Sequence, residues 1–271
     1  MRRILLHLGL HKTGMAAAQS FLHENRRLIW PQFALILPYK TRKAGLNEAA
    51  TRHSIYRLDA TLAGFGGQVQ AFLNELDFGE RRGLILSEEN FLGLRPSRNR
   101  DEGYAAAPEL AETLVSVLHR RFLGDEVDIT IYLSLRQRDA WLYSLWAHDL
   151  QQSRLVQDLD SFRADLAHLP ALQETADRIK DRLPSVTIQT EWMEQFQDHR
   201  FGAGASFVSF LDLPPDKTSQ LVGPTHSTPS FSAEVLQEML ALNRSTLDEA
   251  ALITQKRALI QTAQTELARQ I

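Results

Sequence analysis

Apolar and polar positions follow two different periods along the first forty residues. Residues 3–9 form a mostly apolar run that predicts a buried strand. Residues 14–28 then repeat apolar side chains at helical spacing, which predicts a helix with Ala18, Phe21, Leu22 and Leu28 near one stripe. Pro31 interrupts this pattern, and a second apolar run at 33–37 ends at Pro38. The chain therefore begins with a strand, a helix and a further short strand.

Further strands and helices alternate along the rest of the chain. Residues 46–76 are loosely helical, and Gly64, Gly66 and Gly67 predict a loop that divides them into two helices. Apolar runs predict strands at 83–87, 127–135 and 186–189. Helical spacing predicts helices at 108–122, from the N-cap Asp139 to about 152, at 159–182, at 203–211, and two after 232 that are separated near 243–246. Residues 94–104 lack periodicity and predict a mobile surface loop.

This alternation of strands and helices predicts an α/β fold. We expect three layers, with a central, mostly parallel sheet of about 4–5 strands, helices on both faces and a helical C-terminal extension. We expect one domain over residues 1–271, with a core at about 3–213 and a C-terminal helical segment at about 230–271. Ligands of such sheets bind outside the carboxyl ends of the strands.

Composition narrows the class of protein without naming a partner. The hydrophobic content of 44% and the charged content of 23% are typical of soluble globular proteins. The net charge of -3 gives no global basic field, so we expect no nucleic-acid partner. The absence of cysteine excludes disulfides, thiolate metal sites and a cysteine nucleophile. No run reaches the roughly 18 apolar residues of a membrane span and none has the pattern of a signal peptide, so we expect a cytoplasmic protein without membrane contact.

The segment between the first strand and the first helix has the residues of an anion site. In Gly-Leu-His-Lys-Thr-Gly, residues 9–14, glycine permits close backbone approach, and the following helix offers N–H groups and its dipole to a negative charge. Nucleoside triphosphatases place lysine after the second glycine, whereas Lys12 precedes Gly14, so that class fits poorly. His7 and His11 have a metal-like spacing that shares a face only on a helix, so we expect no metal there.

Arg136 and Ser144 form a second candidate anion site. Arg136 ends the strongest predicted strand, and Ser144 stands eight residues further on, inside the next helix. A guanidinium donates bidentate bonds to phosphate, and a hydroxyl adds a neutral donor. Simpler interpretations stay open: Arg136 in a salt bridge with Asp139 or Asp149, Ser144 as a helix-surface serine, and Lys12 as a surface lysine.

Three segments together resemble the sulfotransferase superfamily, in particular bacterial members that use 3′-phosphoadenosine 5′-phosphosulfate (PAPS). The segments are LHLGLHKTG (residues 6–14), LILSEENFLG (84–93) and ITIYLSLRQRDAWLYSL (129–145). Weaker similarity in SVTIQTEWMEQF, FVSFLDL and STPSFSAEVLQEMLALN extends the resemblance over most of residues 3–245. It implies a P-loop-like three-layer fold, in agreement with the periodicity.

The resemblance implies a role for each candidate residue. Lys12 would stabilise charge on the leaving phosphate, the loop N–H groups from Thr13 to Ala17 would hold the 5′-phosphate, and Arg136 with Ser144 would hold the 3′-phosphate. The donor-binding set is His11, Lys12, Thr13, Gly14, Met15, Ala16, Ala17, Arg136 and Ser144. Glu89 would be the base and Glu88 the reserve, although a charge cluster at a helix start capped by Ser87 is the open alternative. No metal cofactor is expected.

The loop departs from the family pattern directly after Gly14. Met15 and Ala16 stand where the family has two hydroxyl residues, and Ala17 has no hydroxyl either. A hydrogen bond to a charged phosphate contributes on the order of 1.5–3 kcal/mol. Losing two such bonds would weaken donor binding by about one to four decades.

Three functional hypotheses follow. The first is an active or weakly active sulfotransferase that uses PAPS on a small-molecule or glycan-like hydroxyl or amine. The second is an inactive relative that binds adenosine 3′,5′-bisphosphate (PAP) or a protein partner, and the third is a phosphoryl transferase. The irregular segments would line the acceptor pocket with Tyr39, Tyr56, Phe65, Arg95, Arg98 and Arg100. The aromatics expected to pack rather than to bind adenine are Trp141, Tyr143 and Trp146. The acceptor and the oligomeric state, including a homo-oligomer, are left open.

Overall fold

The computed structural model describes residues 1–96, 103–196, 198–225 and 231–269, in two compact units. The first unit comprises residues 1–137 and 169–227, and the second comprises 138–168 and 228–271. The described strands all belong to the first unit and are β1 (Arg2–Leu8), β2 (Phe33–Ile36), β3 (Gly83–Glu88), β4 (Val127–Leu135) and β5 (Thr187–Trp192). They form one parallel sheet in the order β2-β3-β1-β4-β5.

The described helices divide between the units. Those of the first unit are α1 (Met15–Glu24), α2 (Arg26–Ile29), α3 (Pro38–Lys43), α4 (Leu46–Tyr56), α5 (Asp59–Asn74), α6 (Ala107–Arg121), α9 (Leu172–Arg182), α10 (Ala205–Leu211) and α11 (Pro215–Thr218), with 3₁₀ turns at Met193–Phe196 and Gly202–Gly204. Those of the second unit are α7 (Arg138–Gln152), α8 (Leu159–Asp165), α12 (Ala233–Arg244) and α13 (Glu249–Arg269).

Helices cover both faces of the sheet. Successive side chains of a strand point to opposite faces. On one face Leu5 packs in a cluster with Phe21 of α1 and Phe207 of α10. On the other face Arg2 places its guanidinium over the Phe122 ring, at the end of α6, and α9 packs against α6, β4 and β5. These contacts confirm the predicted α/β fold with a parallel sheet between helical layers.

Several predicted boundaries are wrong because distant contacts decide them. The helix predicted over 14–28 breaks at Asn25, whose side-chain amide donates to the carbonyls of Phe21 and Val222. Conversely, the loop predicted at Gly64–Gly67 is absent, and α5 runs through it without a break. Gly66 lies against α6, where a Cβ would be 3.0 Å from Thr113 Cγ2. The absence of a side chain at Gly66 therefore lets α5 and α6 pack closely.

Three more expectations need correction. The helix predicted over 159–182 is divided into α8 and α9, and Pro170 lies between them, where it removes a backbone donor. Asp139 lies inside the first turn of α7 rather than at its N-cap. Tyr104, predicted to lie in a surface loop, is buried. The neighbouring Arg98 and Arg100 lie outside the described residues.

The second unit is a helical group with a buried polar network. Asn243 of α12 donates through its amide to the carbonyls of Leu150 and Leu155. Lys256 of α13 donates to the Ser153 carbonyl and to Asn243 Oδ1, and burial lowers the pKa of this lysine. The two predicted C-terminal helices are confirmed, and α12 packs against α7 as well as α13. Within the described part of the chain, no helix is long and apolar enough to cross a membrane.

Candidate functional site

The candidate site lies where the sheet reverses its strand order. From β1 the chain builds β2 and β3 on one side, and then β4 and β5 on the other. Ligands of open α/β sheets bind at the carboxyl ends of the strands next to this reversal. The loop after β1, residues 9–14, and Arg136 after β4 meet here, since Arg136 donates to the Lys12 carbonyl at 3.0 Å. Two sequence-predicted elements of the site are therefore in contact.

The backbone of the loop adopts a conformation that few residues permit. Gly9 lies so close to Glu89 that a Cβ at Gly9 would be 2.3 Å from the Glu89 Cα. Gly14 has φ +94° and Lys12 has φ +68°, both in the left-handed region that side chains other than glycine disfavour. The contact from Arg136 helps to hold Lys12 in this conformation. The loop thus turns tightly into α1, which begins at Met15.

Among the described residues, the N–H groups at the start of α1 have no acceptor within the protein. Among the described residues, the N–H groups of residues 13–17 donate to no other residue, and the first helical bond runs from the Ala18 N–H to the Gly14 carbonyl. The first turn of a helix combines such groups with a positive partial charge. This end of α1 is consequently suited to an anion such as a phosphate.

The side chain of Thr13 is used inside the protein. Its hydroxyl donates to the Leu10 carbonyl at 2.5 Å, and the Ser134 hydroxyl lies 2.9 Å from Thr13 Oγ1 and 2.7 Å from the Thr13 carbonyl. Thr13 is fully buried. Its hydroxyl therefore stabilises the loop, and only its backbone is available to a ligand. Ser134 was missed from the sequence, although it precedes Arg136 by two residues and so shares its side of β4.

The hydroxyl-free positions after Gly14 differ in their environment. Met15 is buried, with 3% of its surface exposed, whereas Ala16 is exposed and Ala17 is half-buried. Met15 is therefore a packing residue at the start of α1. Of the positions where the family has hydroxyl residues, the exposed one is Ala16.

Arg136 has further capacity for hydrogen bonding. Burial lowers the pKa of this arginine, and the nearby Glu194 opposes the shift. Glu194 also accepts a hydrogen bond from the Gln137 N–H at 3.0 Å. One N–H group of the guanidinium binds the Lys12 carbonyl, and an arginine has five such donors. Its remaining donors are suited to an anionic group beside the loop.

His11 is held as a neutral imidazole. Its Nδ1 lies 2.8 Å from the Tyr104 hydroxyl, and its Nε2 lies 3.2 Å from Asn90 Oδ1. The backbone N–H of His11 also donates to the Tyr104 hydroxyl, at 2.6 Å. Burial lowers the pKa of His11 to about 4, with smaller contributions from Arg95 and Lys12. The imidazole and the backbone N–H of His11 are therefore both used to hold the loop in place. Tyr104 and Asn90 were missed, because no local pattern links them to His11.

The two adjacent glutamates occupy different environments. Glu88 is fully buried, where one carboxyl oxygen contacts the Thr41 hydroxyl and the other accepts from the Asn90 N–H at 3.2 Å. Burial raises the pKa of Glu88, and the hydrogen bonds from Thr41 and Asn90 oppose this shift. Glu89 is partly exposed and forms an ion pair with Arg42 of α3 at 3.5 Å. No helix begins at Ser87, which instead bonds His7, so the capped-helix alternative is wrong. Glu89 is consequently the better candidate for a base.

The remaining predicted residues differ in burial and in the unit to which they belong. Ser144 is half-buried in α7 of the second unit, and Arg136 belongs to the first, so their joint phosphate site stays a prediction. Phe65 is buried against Phe91, which contradicts its predicted place in an acceptor pocket. Tyr39 and Tyr56 are exposed. Of the aromatics expected to pack, Trp141 and Trp146 are buried, and Tyr143 contacts the Trp146 ring.

His7 and His11, whose spacing in the sequence is similar to that of metal ligands, have separate partners in the fold. The side chain of His7, on β1, is buried beside Ser87 and the rings of Tyr132 and Phe207. The side chain of His11, in the loop after β1, contacts the Tyr104 hydroxyl. Within the described ranges, no group of three or more potential metal ligands comes together.

Comparisons with models of protein families, with curated proteins and with solved structures found no match for this chain. Membership of a family therefore stays a prediction from the motifs.

Proposed function

We propose that this protein transfers a sulfuryl group from PAPS to a hydroxyl or amine of a small-molecule or glycan-like acceptor. The observation that carries the proposal is the loop after β1: a tight turn at the reversal of strand order, whose free N–H groups open α1 beside Lys12 and Arg136. The motif resemblance supplies the donor. A cytoplasmic location is part of the same proposal.

The donor's phosphates fit the groups that the loop offers. The N–H groups of residues 13–17 would bind the 5′-phosphate, as helix N-termini bind anions. Lys12, half-buried at the loop, would bind the oxygen that bridges phosphorus and sulfur. The open donors of Arg136 would bind the 3′-phosphate.

The chain's residues would act mainly by positioning and by stabilising charge. The acceptor oxygen or nitrogen forms a bond to sulfur while the bond from sulfur to the bridging oxygen breaks, and the electron pair of that bond remains on the phosphate of PAP. Lys12 stabilises this developing charge, and the Glu89 carboxylate accepts the acceptor's proton. Arg42 orients Glu89 through their ion pair.

A weaker donor site, or a relative that only binds PAP, is the second candidate. The side chains of the loop favour it. The Thr13 hydroxyl is hydrogen-bonded to the Leu10 carbonyl and the Ser134 hydroxyl, Met15 is buried, and Ala16 has no hydroxyl. The loop therefore offers backbone donors and Lys12 but no side-chain hydroxyl. Such a protein would hold PAP without transferring a sulfuryl group.

Two measurements on the same variants separate these functions. PAP affinity is measured by calorimetry, and transfer or donor hydrolysis is measured with ³⁵S-labelled PAPS against panels of phenols, alcohols, amines and glycans. We expect Lys12→Gln to lower turnover more than PAP affinity, because the lysine binds the bridging oxygen most strongly as charge develops. Lys43→Gln, which removes an exposed charge of α3, is the matched control.

The outcomes are distinct. PAP binding with neither transfer nor hydrolysis would support a protein that only binds PAP and would reject the enzymatic function. No PAP binding by the unmodified chain would reject both.

A further inference from the structure

A cleft that is separate from the candidate site lies along β2, an edge strand of the sheet. It has a volume of about 740 Å³. Its walls include Arg27 and Trp30 around the end of α2, Lys40 of α3, and Asp77 and Arg82 before β3. β3 separates β2 from β1, so at a strand spacing of about 4.8 Å the cleft is roughly 10 Å across the sheet from the strand that carries the donor loop. None of its lining residues belongs to the candidate site described above.

The charges around this cleft are unbalanced. Arg27, Lys40 and Arg82 face one acidic residue, Asp77, whose carboxylate already accepts the Gly79 N–H at 2.8 Å. Within the part of the chain that the structure describes, none of these three cations forms an ion pair. The cleft therefore has an excess of positive charge, with three basic residues against one acidic residue in its lining.

Arg82 adds a more specific observation. Its guanidinium donates to the Phe33 carbonyl at 3.3 Å, while its Nε is buried without a hydrogen-bond partner. A buried donor without a partner is costly. Because Arg82 lines the cleft, an anion there would balance the charge of its guanidinium group.

The remaining walls of the cleft are apolar. Trp30 is 47% exposed, so much of its side chain is open to solvent. Leu35 and its neighbours on β2 form the floor. Aromatic rings and guanidinium groups both stack on flat π-systems. The volume lies in the range of small-molecule sites.

We propose that this cleft binds a small organic anion that joins an aromatic body to a carboxylate, sulfate or phosphate group. The negative group lies among Arg27, Lys40 and Arg82, and the aromatic body packs on Trp30 and the β2 floor. An added peptide strand fits less well, because Leu35 is only 6% exposed and Arg82 covers the outward carbonyl of Phe33. The proposal is independent of the sulfotransferase assignment.

The test uses the native chain and 8-anilinonaphthalene-1-sulfonate, an aromatic sulfonate, followed by its fluorescence and by energy transfer from tryptophan. We expect saturable binding at one site, with energy transfer that Trp30→Phe reduces. Arg27→Gln with Lys40→Gln is expected to weaken binding at least tenfold. The matched control, Lys43→Gln with Arg120→Gln, removes the same charge from exposed residues elsewhere and is expected to change affinity less than twofold. Thermal unfolding checks that both double variants are folded.

Two further measurements complete the test. N-phenyl-1-naphthylamine, which lacks the sulfonate, is expected to bind at least tenfold more weakly and to be insensitive to the Arg27/Lys40 change. PAP is expected not to displace the sulfonate probe. Equal affinity in the two double variants, displacement by PAP, or no saturable binding would each overturn the proposal.

Discussion

Replacing Gly9 with alanine tests the close approach that positions the loop at residues 9–14. The added Cβ would lie 2.3 Å from the Glu89 Cα, 2.7 Å from the Glu89 Cβ and 2.9 Å from the Glu89 carbonyl oxygen. Carbon atoms in contact prefer about 3.5–4.0 Å. The loop and the start of the Glu89 segment must therefore separate by roughly 1 Å, because two of these atoms belong to the backbone.

The expected cost follows from this displacement. Overpacking by one methyl group typically costs about 1–3 kcal/mol, and a backbone obstacle places Gly9→Ala toward the upper end. At about 2–4 °C per kcal/mol for a unit of this size, the melting temperature should fall by roughly 4–12 °C. A shift of about 1 Å in a positioning loop is also expected to lower turnover on the order of 100-fold if the proposed reaction occurs there.

Thermal unfolding and PAP calorimetry are the assays, and Gly64→Ala is the matched control. Gly64 lies exposed within α5, and its Cβ would meet nothing within 4 Å. Alanine there is expected to raise the free energy of unfolding by about 0.5–1 kcal/mol, since glycine is a poor helix former. If Gly9→Ala melts at the same temperature as the unmodified chain, the close approach of Gly9 to Glu89 does not constrain the loop.

The remaining predictions concern the loop, the glutamates and pH. Ala16→Thr is expected to tighten PAP binding at least several-fold in calorimetry, because the exposed hydroxyl adds a bond to phosphate; unchanged affinity would contradict this account. Glu89→Gln is expected to lower turnover about 10²–10⁴-fold with PAP affinity kept, whereas Glu88→Gln, at a fully buried carboxyl group bonded to Thr41 and Asn90, is expected to keep turnover; the reverse ranking would exchange their roles. Burial lowers the pKa of His7 to about 3 and that of His11 to about 4. Their contribution to stability is therefore complete above about pH 6.5 and is lost as pH falls toward the folded pKa values, so urea unfolding at pH 5.5 should show about 1 kcal/mol less stability per histidine than at pH 7. If the free energy of unfolding does not change across this range, the two histidines bind protons equally well in the folded and unfolded protein.

Much of the sheet was predictable because strand burial leaves a local pattern. β1 and β4 are largely apolar and buried, and the structure places them side by side within a residue of the predicted bounds. Parallel strands bring their carboxyl ends to one edge. By that rule the Lys12 loop and Arg136, which each follow a strand, are expected at the same edge, and Arg136 contacts the Lys12 carbonyl there.

The unpredicted features depend on partners far away in the sequence. The break at Asn25 depends on Val222, 197 residues away. The continuity of α5 depends on Gly66 packing against α6. Tyr104 holds His11 from across an irregular segment, and local periodicity carries no trace of that contact.

The sequence by itself determined the order of strands and helices and the residues that gather at the carboxyl edge of the sheet, because periodicity and turn residues act over a few neighbouring positions. Only the tertiary structure decided which groups remain available to a ligand. It assigns the Thr13 hydroxyl to Leu10 and Ser134, buries Glu88 beside Thr41, and leaves Glu89 partly exposed. These assignments differ between neighbouring residues because burial and hydrogen-bond partners are set by chain segments that meet only in the fold.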